Sequence, residues 1–147
     1  MKLKLVLTAA AAICLGVTVA IAAGEPQVVR QEMMKKTGGA MGALAAIAKG
    51  EKPFDAEVVK ASLTTMVEVG KTFPDQFPAG SETGLETEAS PKIWENMEDF
   101  KSKSMALVTA AEAQLASMPT DQAGVGAVMK AVGGTCGTCH ETYRLKK

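Results

Sequence analysis

Two cysteines and the single histidine of the chain lie within five consecutive residues near the end of the sequence. The segment Cys136-Gly137-Thr138-Cys139-His140 has the pattern C-x-x-C-H, which is the attachment signature of c-type haem. Two thiols three residues apart on a helical turn can each add to one vinyl group of a porphyrin, and the imidazole that follows can bind the iron. The pattern therefore predicts one haem c, attached covalently through both cysteines and ligated by His140.

Other functions of a C-x-x-C pair agree less well with this sequence. A thioredoxin-like redox pair lies at the start of a helix that follows a strand, whereas this pair lies near the end of the last predicted helix. A structural zinc site needs four ligands, and outside the first 22 residues the chain has three Cys and His residues in total. A disulfide that closes so short a loop would stabilise the fold little. Haem attachment remains the favoured function of the motif.

The first 22 residues have the pattern of a secretory signal peptide. Two lysines precede an apolar run over residues 5–21, and Ala20 and Ala22 have the spacing that a signal peptidase recognises. The run is a little short for a membrane-spanning helix. We expect cleavage before Ala23, loss of Cys14 with the leader, export to the periplasm and no membrane anchor in the mature chain.

Residues 23–147 have the length and composition of one helical domain. The whole sequence has 16 basic and 16 acidic residues, so loss of the two leader lysines leaves a small net negative charge. The charges are scattered, which gives no indication of a nucleic-acid partner. Ala, Met, Leu, Lys and Glu dominate, and β-branched residues do not alternate with polar ones. We therefore expect an all-α domain with a single core.

Proline, glycine and capping residues divide this domain into four predicted amphipathic helices. Their predicted extents are Pro26 to Lys49, residues 56–73 after the cap Asp55, residues 91–115 after the cap Ser90, and a last helix that starts after Thr120 or Asp121 and continues to the end. The third helix is predicted without a break. A long loop, residues 74–90, joins the second helix to the third. This pattern predicts an antiparallel up-down-up-down four-helix bundle.

A methionine is the expected second protein ligand of the iron, because the chain has no second histidine. His140 lies seven residues from the end of the chain. At about 1.5 Å rise per residue, the same level of an antiparallel bundle contains Met33 or Met34, Met66, and Trp94 or Met97. Spacing alone leaves these candidates open.

The sequence resembles the cytochrome c-prime family, the class II c-type cytochromes, over essentially all of residues 23–147. The resemblance rests on the haem motif close to the C-terminus and on several supporting segments: Arg30 with Met34, residues 48–55, Phe77-Pro78, residues 91–94 and Tyr143-Arg144. Residues 34–55 are closer to the low-spin, cytochrome c-556-like branch of the family. Arg30 is a feature shared with the high-spin branch.

The resemblance implies roles for four further residues. Met34 occupies the distal position, where low-spin members place an iron ligand. Arg30 and Gln31 occupy positions that approach a haem propionate, and Arg144 occupies the position of an arginine beside the proximal histidine. Each residue also has an ordinary structural alternative, which is core packing for the methionine and a solvated helix position for the others.

The expected function is one-electron transfer with redox partner proteins that the sequence does not identify. The alternative is an open iron site that binds nitric oxide or carbon monoxide. An enzyme such as a peroxidase is less favoured, because the chain has no second histidine. The resemblance also allows a homodimer through the first two helices, and we expect Trp94 to lie against the porphyrin and residues 83–85 to lie over a haem edge.

Overall fold

The structure, a computed structural model, describes residues 25–146 as a four-helix bundle. Its helices are α1 (Pro26–Ala48), α2 (Ala56–Thr72), α3 (Lys92–Glu95), α4 (Met97–Ala116) and α5 (Gln122–Tyr143), with a 3-10 turn at Phe73–Gln76. α1 packs against α2 and α5, and α4 packs against the same two helices. The predicted all-α bundle is therefore confirmed. The predicted signal peptide and Cys14 lie outside the described residues.

Helix ends lie where side chains satisfy the backbone groups that a helix leaves unpaired. Asp55 accepts hydrogen bonds from the backbone N–H groups of the second and third residues after it, at 2.9 and 3.2 Å. Asp121 accepts a hydrogen bond from the backbone N–H of Gly124 at 2.8 Å. Gly50 follows α1 with φ of 73°, a left-handed conformation that costs glycine little. These residues confirm the predicted extents of α1 and α2 and the predicted start of α5.

The prediction of one continuous third helix is wrong, because the helix is interrupted at Asn96, between α3 and α4. Asn96 has φ of −142° and ψ of 66°, outside the helical region. Its side-chain oxygen accepts a hydrogen bond from the backbone N–H of Asp99 at 3.2 Å, so Asn96 is the N-cap of a new helix. Buried apolar residues continue on both sides of the break, at Ile93 and Phe100. The apolar pattern therefore gives no sign of it.

Two hydrophobic clusters fill the bundle, one towards each end. The aliphatic cluster lies between the four long helices and consists of Leu44, Ile47, Val59, Leu63, Met66, Leu107, Ala111, Val125, Val128 and Val132. The aromatic cluster consists of Phe77, Ile93, Phe100 and Tyr143, with Phe73, Trp94 and Met97 packed against it. Ring centroids of Phe77 and Phe100 lie 4.8 Å apart in an edge-to-face contact, a favourable arrangement for aromatic pairs.

The first half of α1 buries polar side chains instead of the predicted apolar stripe. Three polar residues here are 5% exposed or less: Gln27, Arg30 and Thr37. Met33 and Met34 are only half-buried, whereas Leu44 and Ile47 in the second half of the helix are buried as predicted. The first half of α1 therefore differs in character from the second, and this difference marks the functional end of the bundle. No helix within residues 25–146 is long and apolar enough to span a membrane.

Candidate haem-binding site

A cavity of about 680 Å³ lies between α1, α4 and α5, beside the aromatic cluster. Its size is within the range of ligand sites in proteins, roughly 300–1,000 Å³. All seven residues that the sequence nominated line this cavity: Cys136, Cys139, His140, Met34, Arg30, Gln31 and Arg144. The fold therefore brings the C-x-x-C-H motif from one end of the chain against polar and methionine side chains from the other.

α5 positions the three residues of the motif along one wall of the cavity. The side chains of Cys136 and Cys139 are half-buried, and both thiols are free. His140 follows on the same helix and is the most exposed of the three. Among the described residues, no atom of another residue lies within 4 Å of the position that a Cβ would take on Gly134 or Gly137. Both glycines are exposed and lie outside the cavity lining.

Burial favours the uncharged forms of the three ionisable groups of the motif. Burial raises the pKa of the Cys136 thiol. Burial also raises the pKa of the Cys139 thiol, although the cation of Lys103 opposes this effect. Partial burial lowers the pKa of His140, and the charge of Arg144 lowers it further. The imidazole is therefore largely neutral at pH 7, and the neutral form is the one that binds a metal ion.

Of the four methionines that the bundle geometry left open as iron ligands, Met34 is the one that lines the cavity. Met33 lies in the groove between α1 and α2. Met66 is fully buried in the aliphatic cluster, and Met97 packs against the aromatic cluster. Met41 also lines the cavity. The sequence reasoning missed it because only residues at the expected level of His140 in the bundle were considered, and Met41 lies further along α1.

The antiparallel packing of α1 against α5 brings Met34 and His140 to the same end of the bundle. A Cβ on Gly133 would lie 3.7 Å from Cε of Met41, so these two residues face each other across the helix pair. His140 lies seven residues after Gly133 on α5, and Met34 lies seven residues before Met41 on α1. Because the two helices are antiparallel, both steps lead in the same direction along the bundle. Seven residues make close to two helical turns, or about 10 Å along the axis, so the facing sides are preserved. Met34 and His140 therefore lie within about one helical turn of the same level, and Met41 lies about two turns further along α1.

The loop that follows Phe77 holds the guanidinium of Arg30. Nη2 of Arg30 donates to the carbonyl oxygen of Ser81 at 2.8 Å, and Nη1 donates to Oγ of the same serine at 3.2 Å. The guanidinium carbon lies 4.6 Å from the ring centroid of Phe77 and 5.6 Å from that of Trp94. Burial lowers the pKa of Arg30, although a guanidinium in a protein stays charged. Arg30 is therefore firmly fixed at the cavity wall.

Two glutamines of α1 bind the same loop. Nε2 of Gln27 donates to the carbonyl oxygens of Ser81 and Thr83 at 3.3 and 2.7 Å. Nε2 of Gln31 donates to the carbonyl oxygen of Glu86 at 2.7 Å. These hydrogen bonds hold the loop against the first two turns of α1, and residues 86–89 of the loop form part of the cavity wall.

The end of α5 holds the other side of this loop. Nε and Nη2 of Arg144 each lie 2.6 Å from Oε2 of Glu88. Ala89 and Arg144 form an isolated antiparallel bridge, and the backbone N–H of Ser90 donates to the carbonyl oxygen of Tyr143 at 3.0 Å. Arg144 thus lies beside His140 as the resemblance implied, while its charge pairs with a loop carboxylate.

Trp94 and residues 83–85, which were expected near the haem, are not among the residues that line the cavity. Trp94 does not line the cavity; it packs on the ring of Phe77 and donates from Nε1 to the carbonyl oxygen of Pro78 at 3.3 Å. Because α3 is a separate short helix, its buried residue is Ile93, which does line the cavity. Residues 83–85 lie outside the cavity lining, and residues 86–89 take their place.

A polar network on α4 and α5 was missed in the sequence. The hydroxyl of Tyr143 donates to Oδ2 of Asp99 at 2.6 Å, and Nζ of Lys103 lies 3.7 Å from the same oxygen. Burial and the hydrogen bond to Asp99 raise the pKa of Tyr143 to about 12. Lys103 lines the cavity. The four-residue spacing of Asp99 and Lys103 is common on helix surfaces, so it did not indicate a place in the site.

The residues of the cavity fit a haem. Apolar side chains form much of the wall: Met34, Met41, Phe73, Phe77, Ile93, Phe100 and Leu107. Two buried polar atoms at the wall, Oε1 of Gln27 and Nε of Arg30, have no hydrogen-bond partner within the described chain, and buried polar groups normally have one. No three His, Cys, Asp or Glu side chains of residues 25–146 are grouped to hold a metal ion.

Comparison with known proteins agrees with this site. The family model described as Cytochrome C' matches residues 25–144. Cytochrome c-556 of Agrobacterium fabrum is 58% identical to this chain over 147 residues, covering 100% of this chain and 99% of the relative. The solved cytochrome c' from Rhodopseudomonas palustris matches with a TM-score of 0.79 and 37% identity, covering 84% of this chain and 98% of that one.

A structure of oxidised cytochrome c556 from the same organism is also similar. It matches with a TM-score of 0.76 and 32% identity, and the match covers 84% of this chain and 98% of that chain. The residues that the family model matches include the C-x-x-C-H motif and all the cavity-lining residues named above. Membership of the family implies a covalently bound haem c. The chain belongs to the cytochrome c' family.

Proposed function

We propose that this protein is a periplasmic electron carrier that holds one haem c through Cys136, Cys139 and His140, with Met34 as the second axial ligand. When bound, a haem supplies an iron that takes up and releases one electron. The observation that supports the proposal is the lining of the cavity, to which α1 contributes Met34 and α5 contributes His140. Two protein ligands favour electron transfer, because the site then reorganises little between oxidation states.

The side chains of the cavity hold and shield such a cofactor. The two half-buried thiols on one turn of α5 would form the thioether bonds. The buried Arg30 is fixed by Ser81, and its unpartnered Nε would donate to a haem carboxylate. Gln31 and Arg144 fasten the loop that closes the cavity, which limits the access of water.

The wall offers little for oxygen activation, which supports electron transfer over an enzymatic role. His140 is the single histidine of the chain, so no second imidazole can act in the cavity. The hydroxyl of Thr37 donates to the carbonyl oxygen of Met33 at 3.1 Å, and that of Ser104 donates to the carbonyl oxygen of Gly70 at 2.8 Å. These two hydroxyl groups at the wall are therefore engaged by backbone carbonyl groups.

Covalent attachment is tested by intact mass. We expect the protein purified from the periplasm to exceed the mass of the chain from about Ala23 onward by one haem, and the haem to remain after acid–acetone extraction. Edman sequencing should show that Cys14 is absent, because the leader is removed on export. The double variant Cys136→Ser with Cys139→Ser should lose the haem. A haem-free chain with two titratable thiols would contradict the proposal.

Ligation by Met34 is tested by absorption spectroscopy. The ferric protein should be low-spin at neutral pH and should show the weak near-infrared band of methionine ligation. Met34→Ala should abolish that band and speed the binding of carbon monoxide. Met33→Ala is the matched control, because Met33 is the neighbouring residue but lies outside the cavity in the α1–α2 groove; it should leave band and rate unchanged.

The opposite result would select the gas-binding function. A wild-type protein that is already high-spin and binds nitric oxide or carbon monoxide readily would show that Met34 only covers an open iron site. Met41→Ala separates a third outcome, since loss of the near-infrared band in that variant alone would assign ligation to the methionine two turns away.

The compartment and the partners follow from the same proposal. The leader over residues 1–22 would direct the chain to the periplasm, where redox partner proteins would exchange electrons with it. A homodimer, which the family resemblance allows, would bury the face formed by α1 and α2. Val58 on that face is 37% exposed, and it lines the groove together with Met33 and Ala61.

A further inference from the structure

Three cations of the described residues line the cavity, and the loop engages two of them. Arg30 donates to Ser81, and Arg144 pairs with Glu88 at 2.6 Å. The third cation is Lys103 on α4, whose Nζ lies 3.7 Å from a carboxylate oxygen of Asp99. That distance is longer than a hydrogen bond. Of the three cations, Lys103 therefore has the longest contact to its polar partner.

We propose that the ammonium group of Lys103 raises the reduction potential of the haem, and that Asp99 and Tyr143 are positioning residues that hold it at the cavity wall. The proposal rests on the haem site described above. It adds a residue that determines how readily the cofactor accepts an electron.

Packing and hydrogen bonds fix the group that holds Lys103. The ring of Tyr143 is 5% exposed and contacts the ring of Phe100 with centroids 5.2 Å apart. Its hydroxyl binds Asp99 at 2.6 Å. The backbone N–H of Asp99 is bound in turn by the cap residue Asn96. Tyr143 therefore holds the carboxylate of Asp99, Asn96 holds its backbone, and Lys103 follows one helical turn later on α4.

The location of Lys103 gives its charge an effect on the cofactor site. Its side chain is 26% exposed, and charges that are partly buried are screened less by solvent and salt than exposed ones. Lys103 lines the cavity, whereas Asp99 is not among the lining residues.

The sign of the effect follows from the charge of the iron. Reduction makes the haem less positive by one unit, so a nearby cation favours the reduced form and raises the potential. Charge and burial around a haem are among the means by which a protein sets its potential. Removal of the Lys103 charge should therefore lower the midpoint potential.

The test is spectroelectrochemical titration of the holoprotein at fixed pH and ionic strength. We expect Lys103→Gln to lower the midpoint potential and Lys103→Arg, which keeps the charge, to stay near the wild-type value. Lys101→Gln is the matched control: it removes the same charge from the same helix, but Lys101 is 50% exposed and pairs with Glu98 at 3.6 Å outside the cavity. Its midpoint should stay close to that of the wild type.

Two results would overturn the proposal. One is equal midpoint potentials for Lys103→Gln and Lys101→Gln. The other is a lower midpoint in Lys103→Gln that comes with a changed haem spectrum, because the axial ligands would then have changed rather than the local field. Failure of the haem site itself would be recognised separately, since the wild-type protein would show no haem mass.

Discussion

Tyr143 joins the aromatic cluster to the polar side of the haem site. Its ring packs against Phe100, and its hydroxyl binds Asp99 at 2.6 Å and lies 3.4 Å from the carbonyl oxygen of Asn96. Burial and the hydrogen bond to Asp99 favour the protonated hydroxyl, so the pKa rises from 10.0 to about 12. A raised pKa in the folded state makes stability depend on pH.

Replacement of Tyr143 by phenylalanine tests this dependence. The contribution of the tyrosine is fully present below pH 10 and is lost as the pH rises towards 12, because the unfolded chain releases its proton first. At pH 8, Tyr143→Phe should cost about 1.5 kcal/mol for the lost hydrogen bond. In urea titrations the difference between the two proteins should shrink above pH 10. A difference that stays constant up to pH 12 would exclude the proposed shift.

The chemistry of single residues was predictable where it depends on local spacing. The C-x-x-C-H motif predicts attachment and ligation within one helical turn, and its three residues all line the cavity. The positions of Arg30 and Gln31 at the cavity were also predicted, by resemblance. The hydrogen bonds of Arg30 to Ser81 and of Gln31 to Glu86 were not predicted. These bonds join residues that are 51 and 55 positions apart, and no local pattern encodes such pairs.

The helices α2 and α4 are in close contact at Gly70. Oγ of Ser104 donates to the carbonyl oxygen of Gly70 at 2.8 Å. A Cβ on Gly70 would lie 2.7 Å from Cγ2 of Val108 and 3.4 Å from the carbonyl oxygen of Ser104. Val108 is 1% exposed and β-branched, so it has few alternative side-chain conformations. The contact between these helices therefore depends on the absence of a side chain at residue 70.

Two glycine-to-alanine changes separate this packing effect from helix propensity. Alanine favours a helix over glycine by about 1 kcal/mol. Gly126→Ala should realise that gain, since no neighbouring atom lies within 4 Å of the new Cβ in the described chain. Gly70→Ala should instead destabilise the fold by about 1 kcal/mol or more, because overpacking costs roughly 1–3 kcal/mol. Urea denaturation measures both, and stabilisation by Gly70→Ala would show that the helices separate easily.

Helix ends were predictable from the same local chemistry, with one informative failure. Asp55 and Asp121 were recognised as caps because each precedes an apolar pattern after a proline or glycine segment. Asn96 was not recognised as a cap, because the buried residues Ile93 and Phe100 continue the apolar pattern on both sides of it. The signal that could have revealed it is the pair Asn96 and Asp99, a capping residue with an acidic residue in the first turn.

The whole bundle is asymmetric along its axis. The aliphatic cluster fills one end and involves all four long helices. The other end contains the aromatic cluster, the cavity and the loop of residues 77–91. The first half of α1 buries Gln27, Arg30 and Thr37 there. One end therefore has a self-sufficient core, whereas the packing of the other surrounds a space of about 680 Å³.

This asymmetry predicts how the protein responds to loss of its cofactor. The double variant Cys136→Ser with Cys139→Ser should lose the haem from the cavity. The empty cavity must then either fill with water or collapse. Amide hydrogen exchange should therefore speed up in residues 26–38, in the loop and in the last turns of α5. Residues 59–66 and 125–132, in the aliphatic cluster, should keep their protection, because regions with dense apolar contacts open least.

The single variant Cys136→Ser is the control, because the second thiol keeps the haem on the chain. Its exchange pattern should resemble that of the wild type and not that of the double variant, which separates loss of the cofactor from loss of a cysteine. Equal acceleration of exchange throughout the double variant would show that the bundle unfolds as one cooperative unit. The aliphatic end could not then be regarded as a core that stands without the haem.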